Sequence, residues 1–422
     1  MEFKIKKEVD FLKKFVFYSL IMTLFLSTAL PGFVGAEPQS KPNGPWIQPE
    51  QQTMLERFMD PEELHEKLEQ IHDRARDGRM DLEVVGHSAK YDHPIYVAKF
   101  GDADTDNPKV FLQTAIHGDE QAGTEASLNL IQNLAMSNNK DVREILDNVT
   151  VWIVPMLNPD GAEIIELEEG QAKQRRNFQD WTPEEWGLSE DTPAPWYHGT
   201  DWASQELGYD VNRDFHPDLS FELNEDKGHL LPGVGTEPGF YVTPEARASR
   251  DVFQELEPDL FIDHHHRYSN TVSEDDDRLN TLQIIAQVVD EDNVVSHDGI
   301  DYQLSEESLK LSKQVNSHVY QVLQKGNSPY GAVSRYQEVD LPGTALGSYS
   351  LNDAAIMLYE TRGQQHPNGH TGQKSSGMLI KQSYIGLFET LSGLATGEIF
   401  EIDPEFYDTE IPTYSPRIGR PN

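Results

Sequence analysis

The chain has 422 residues, no cysteine, and 34 basic against 72 acidic side chains, a formal net charge of −38. That length buries a large core in one or two α/β domains without disulfides. The missing cysteines exclude thiolate metal ligands and thiol catalysis, and the acidic balance argues against nucleic acid as a partner, because phosphate would be repelled.

Residues 1–36 read as an export signal. Lys4, Lys6, Lys7, Lys13 and Lys14 form a basic head, an uncharged apolar run follows over 15–30, and Val34-Gly35-Ala36 ends in small residues. Cleavage is expected after Ala36. The run is short for a membrane span, which needs about 20 apolar residues, so the mature chain is expected to be secreted, without stable membrane anchoring. A Pro-, Gln- and Ser-rich lead-in covers 37–54, and one catalytic domain is expected over 55–399.

Within that domain, Leu64, Leu68 and Ile71 have helical spacing over 61–77, with Asp60 as N-cap. Residues 82–85 and 95–100 read as strands, and 110–115 as a buried strand leading into His117. An amphipathic helix is expected over 124–136. A second apolar strand over 149–156 ends at Asn158-Pro159-Asp160-Gly161, a strong turn signal. Thr243-Pro244 opens another helix, 260–263 is a strand, 305–325 a long helix stopped by Gly326, and 355–360 the last core strand. Alternating strands and helices predict an α/β fold, a mixed, mostly parallel central sheet with helices on both faces. Residues 164–242 show little periodicity and read as a functional rim around the site. Residues 400–422 read as a surface tail.

Four short segments carry chemistry: His117-Gly118-Asp119-Glu120, Asp210-Val211-Asn212-Arg213, Asp263-His264-His265-His266 and Tyr359-Glu360-Thr361-Arg362. An imidazole and a carboxylate three residues apart, just past a strand, can converge on one metal. A further imidazole completes two nitrogens and one oxygen around Zn²⁺, leaving a position open for water. Along a strand His264 and His266 share one face, and Asp263 and His265 the other; parity alone does not choose between them. Arg213 offers the planar guanidinium that grips a carboxylate with two hydrogen bonds, and Asp210 a carboxylate for the second N–H of a ligating imidazole. Glu360 is a carboxylate in an apolar strand, costly unless used. Arg175 or Arg176 could stabilise an oxyanion.

These pieces, in this order, resemble the zinc metallocarboxypeptidase family of the carboxypeptidase A/B type over about residues 55–395. The resemblance rests on His-x-x-Glu, Asn-Pro-Asp-Gly, a following Arg, Asp-x-Asn-Arg, Asp-x-His and aromatic-Glu-x-Arg. It implies a carboxypeptidase-like fold, one zinc held by His117, Glu120 and His265, and Asp210 behind His117. It implies that Asn212 and Arg213 bind the C-terminal carboxylate of a peptide or protein substrate. Arg175, with Arg176 as alternative, would polarise the carbonyl, and Glu360 would be the general base. The substrate-capping tyrosine matches Tyr336, with Tyr349 competing. Thr344-Ala345-Leu346 would line an uncharged side-chain pocket. The implied activity is removal of C-terminal amino acids. Two other activities of this fold are action on cell-wall peptides and amino-acid deacylation; the deacylating branch fits Asn212-Arg213 less well, and a catalytically dead peptide-binding relative fits Glu360 less well.

Overall fold

The computed structural model describes residues 46–47, 58–167, 170–267, 270–289, 294–326, 328–336, 340–362, 373–374 and 376–416. The expected export signal lies outside them. Trp46–Ile47, inside the expected lead-in, pairs antiparallel with Gln373–Lys374.

The body begins with α1 (Pro61–His72), β1 (Asp81–His87), β2 (Pro94–Phe100) and β3 (Lys109–Thr114), followed by α2 (Ala122–Met136), α3 (Lys140–Asn148) and β4 (Thr150–Val154). After the rim come α4 (Pro244–Leu256), β5 (Leu260–Arg267), β6 (Leu282–Ile285), α5 (Glu306–Gln324), β7 (Val333–Arg335), α6 (Ala345–Ser350), β8 (Ala355–Arg362), α7 (Ser376–Thr396) and α8 (Glu405–Glu410). The eight strands form one sheet in the order β7-β6-β8-β5-β3-β4-β2-β1. The four central strands, β8, β5, β3 and β4, run parallel. Strands β2 and β1 continue antiparallel on one side, and β6 lies antiparallel to β8 on the other. This is the mixed, mostly parallel α/β sheet that the sequence predicts.

Each central strand carries a continuous apolar run, 110–112, 151–154, 260–262 and 355–359, because both faces of the sheet are covered there. Alternation sends Val110, Leu112, Leu260, Ile262 and Met357 into a core with α2, α5 and α7. Their neighbours Phe111, Phe261, Ile356 and Leu358 enter a second core with α4, α6 and aromatic side chains of the rim. Each such side chain contributes about 1.5–3 kcal/mol. Helix ends are set locally. At α1 the Asp60 carboxylate accepts from the Glu63 N–H at 2.8 Å, and Pro61 occupies the first turn. At α4 the Thr243 hydroxyl accepts from the Ala246 N–H at 3.2 Å.

Three elements differ from expectation. Strand β5 continues through the histidine run to Arg267 rather than stopping at Asp263. Helix α7, 21 residues long, was not anticipated, because Gln382, Ser383 and Thr390 interrupt the apolar side that Leu379, Leu387, Leu391 and Leu394 bury. Residues 400–416 are not a free surface tail: Tyr407 and Ile411 are buried in the first core. The Arg335 N–H donates to the Pro412 carbonyl at 2.7 Å, and the Tyr414 N–H to the Arg335 carbonyl at 3.1 Å, so this segment runs along β7.

Ile411, 2% exposed, gives a direct test of that docking. Ile411→Ala is expected to cost about 2–5 kcal/mol in denaturant unfolding; an unchanged midpoint would mean that the segment is detached in solution.

Candidate active site

Strand β3 ends at Thr114, and Ala115, with φ of 52°, turns the chain off the sheet. His117 and Glu120 are thereby left at the C-terminal end of the parallel strands, where α/β sheets carry their sites. The turn is pressed against the Asn158 loop, and a Cβ on Gly118 would stand 2.0 Å from the Gly161 carbonyl carbon. Asn158 ties the pieces together. Its amide donates to the carbonyls of Ile116 and Arg175, each at 3.3 Å, and its oxygen accepts from the Gly161 N–H at 2.9 Å.

Strand β5 supplies the other imidazole. His265 Nδ1 stands 3.1 Å from His117 Nδ1 and 3.0 Å from Glu120 Oε2, and His117 Nδ1 lies 3.1 Å from Glu120 Oε1. His117, Glu120 and His265 are all buried and form a triad that could hold a metal ion. The far nitrogens of both rings face carboxylates: His117 Nε2 lies 3.1 Å from Asp210 Oδ1, and His265 Nε2 3.0 Å from Asp263 Oδ2. Carboxylates in that place fix the tautomer, so both Nδ1 lone pairs aim at one point beside the Glu120 oxygens. Two nitrogens and one carboxylate around a common point fit a zinc ion. Burial alone would lower the pKa of His265; the Asp263 and Glu120 carboxylates override it and hold it well above the ordinary value. Glu120 is in turn held well below the carboxylate range, against burial, by His117 and His265.

The neighbouring histidines have other tasks. His264 points into the opposite core, 2.9 Å from the Ser383 hydroxyl and stacked on Tyr359. A Cβ on Gly123 would come within 2.7 Å of its ring. His266 accepts the Ala122 N–H at 3.0 Å at the start of α2, and burial pushes its pKa down to about 4.

A cavity of about 470 Å³ opens over the triad. Glu360 lines it from β8, directly beside His265 in the strand register. Its Oε2 is buried without a hydrogen-bond partner among the described residues, and burial, partly offset by His265, pushes its carboxyl up to about 7. Arg175 lines the cavity with its Nε 3.1 Å from Asp210 Oδ2 and its Nη1 3.5 Å from Glu120 Oε1. Arg176 turns away and donates to the backbone carbonyls of Tyr197 and Gly208. Asn212 and Arg213 reach the cavity from the rim. The Asn212 oxygen accepts from the Ala345 N–H at 3.1 Å. Arg213 donates to the Asn212 carbonyl at 2.6 Å and makes no ion pair among the described residues. Tyr336 also lines the cavity, whereas Tyr349 is a core residue stacked on Phe253 at 4.0 Å. The expected metal, base, arginine and substrate residues thus converge, with Asp210 behind them.

The sequence reading assigns no role to two residues that shape the site. Asp263 shares a strand face with His265, and that spacing of two was the available signal. Asp214 fastens the Asn212-Arg213 turn: it accepts from the Tyr197 hydroxyl at 2.5 Å, from the Val242 and Thr243 N–H groups at 3.0 and 2.6 Å, and from the Thr243 hydroxyl at 2.7 Å.

This sheet, with a triad able to hold a metal at the ends of its parallel strands, has the carboxypeptidase fold. A model of the zinc carboxypeptidase family matches residues 65–337, and the chain belongs to that family. The match ends before β8, so Glu360 is placed by its geometry. Carboxypeptidase E of Caenorhabditis elegans is 27% identical over 209 residues, 47% of this chain and 37% of that protein. Carboxypeptidase D of Rattus norvegicus is 33% identical over 89 residues, 20% of this chain and 6% of that protein. The chain therefore spans well under half the length of these curated relatives. Bovine thrombin-activatable fibrinolysis inhibitor, solved with a tick carboxypeptidase inhibitor, superposes with a TM-score of 0.54 at 15% identity, covering 83% of this chain and all of that one. Carboxypeptidase A of Helicoverpa armigera gives 0.52 at 16% identity, covering 82% and 74%. These two share the fold.

Asp263→Asn is expected to weaken metal binding about 10- to 100-fold in chelator competition. By elemental analysis His265→Ala should empty the site, while His264→Ala should keep the metal and lose stability.

Proposed function

We propose that this protein is a secreted zinc metallocarboxypeptidase that hydrolyses the C-terminal peptide bond of peptides or proteins. The observation that carries this reading is the company the triad keeps. Among the described residues, one cavity holds a buried carboxylate oxygen without a partner, on Glu360, and a half-buried cation without an ion pair, Arg213. Family membership supports the zinc and the reaction class.

Bound zinc would supply a Lewis acid for the scissile carbonyl and an acidified water. Glu360 takes the proton of the attacking water and passes it to the leaving amine nitrogen; a raised pKa suits that exchange near neutral pH. Arg175 donates to the carbonyl oxygen as negative charge grows on it. Asn212 and Arg213 hold the terminal carboxylate, so a chain end and not an internal bond is presented. Val288, Leu341, Leu346 and Leu358 are the apolar residues lining the cavity, which favours a neutral or apolar C-terminal side chain. Tyr336 closes over the substrate.

Export rests on the basic head and apolar run of residues 1–36, and no described helix is long and apolar enough to cross a membrane. N-terminal sequencing of protein from the medium should begin at Glu37.

Glu360→Gln should retain zinc and inhibitor binding while kcat falls about 10²–10⁴-fold. Loss of zinc together with activity would make Glu360 a ligand instead. Removing Arg213 should leave zinc in place and lower kcat/KM for free-carboxylate peptides about 10- to 150-fold, the worth of a charge-assisted bidentate contact. Equal cleavage of amidated and free peptides by the native protein would favour a cell-wall or internal-bond activity. Among free peptides, C-terminal Leu or Phe should be released faster than Lys or Glu.

A further inference from the structure

The stretch 411–416 lies beyond the residues matched to the family, yet it reaches the edge of the substrate cavity. Arg335 anchors it. Its Nε donates to the Ile411 carbonyl, its Nη1 to Asp408 and its Nη2 to the Thr413 hydroxyl, each at 3.1 Å. Ser415–Pro416 then pairs antiparallel with Asn270–Thr271, just past the end of β5. Held at both ends, the segment sets Tyr414 beside two cavity-lining residues. The Arg267 guanidinium carbon lies 3.8 Å from the Tyr336 ring centroid and 5.6 Å from that of Tyr414. The two rings are 5.9 Å apart, tilted by 43°. Arg267 and Tyr336 line the cavity that holds the metal triad and Glu360.

We infer that the C-terminal segment is a working part of the substrate site: Tyr414 and Arg267 are positioning residues that hold the Tyr336 ring at the cavity. A guanidinium over an aromatic face is an attractive contact whose strength grows as water is excluded. Tyr414 packs against both partners and so fixes the direction from which Arg267 meets Tyr336. The backbone hydrogen bonds between 412–414 and Arg335 set where Tyr414 stands, and Arg335 immediately precedes Tyr336. The segment therefore fixes Tyr414 relative to the backbone that carries Tyr336. This inference rests on the proposed function, in which Tyr336 closes over the substrate.

The test is steady-state kinetics of the full mature chain, zinc-loaded, on a free-carboxylate peptide ending in Leu. Tyr414→Ala is expected to raise KM about 2- to 30-fold, the range of a partly desolvated cation–π contact, with kcat changed less and zinc content unchanged. Tyr414→Phe keeps the ring and should restore most of the native KM. In a Tyr336→Ala background, Tyr414→Ala should have no further effect on KM, because its influence passes through Tyr336. Native KM in Tyr414→Ala, or effects of the two alanine substitutions that add, would overturn the inference and leave the proposed function standing. A native protein that cleaves no peptide would overturn both.

Discussion

The site depends on the register of β5 against β8. Leu260 stands beside Ala355, and the alignment holds to Arg267 beside Arg362, so His265 and Glu360 arrive side by side on one face. A slip of one residue would turn every side chain of the strand over. His264, now packed against Gly123 and Ser383, would enter the cavity, and His265 would be buried in the helical core. The register is secured below the site, where Phe261 and Ile356 fill one core and Ile262 and Met357 the other. Apolar packing in the lower half of the two strands thus determines which polar groups meet at their upper ends.

The charges at the site are tolerable only as a set. Asp210, Asp263 and Glu120 lie buried, and Glu360 half-buried, beside His117, His265 and Arg175. Each lone charge there would cost several kcal/mol if left unpaired. Asp210 is held well below the carboxylate range because Arg175 and His117 outweigh its burial. Glu360 and Arg213 are the members whose compensation is incomplete, and both face the open cavity. The internal pairs fix geometry, and the groups left over are those offered to a ligand. Removing one member of an internal pair should therefore disturb several neighbours at once, which separates the structural carboxylates Asp210 and Asp263 from Glu360.

Much of this was legible in the sequence because it is local. His117 and Glu120 are three residues apart after an apolar strand, and the Asn158 turn announces itself. The two-faced strands show as continuous apolar runs. What could not be read locally was settled by partners far along the chain. Arg175 and Arg176 are adjacent and chemically identical; their partners tell them apart, Asp210 and Glu120 for the first and the Tyr197 and Gly208 carbonyls for the second. Tyr336 and Tyr349 differ in that one meets Arg267 and the other Phe253. Helix α7 hid behind polar residues that serve tertiary contacts, such as Ser383 against His264 and the Gln382 amide donating to the Thr281 hydroxyl at 2.8 Å. Residues 400–416 look loose in sequence because their two anchors, Tyr407 and Ile411, are isolated between acidic residues and prolines.

The two margins of the sheet bear on how the protein behaves when crowded. An open strand margin offers unpaired N–H and C=O groups to a neighbouring molecule and invites polymerisation. On one side, β7 is met by residues 412–414 of its own chain. On the other, β1 carries exposed Glu83 and an irregularity between Val84 and Gly86 that breaks its regular ladder. With a formal charge of −38 added, copies of this molecule repel one another and find no clean margin to extend. Edge-to-edge assembly into fibres is disfavoured in a protein built this way.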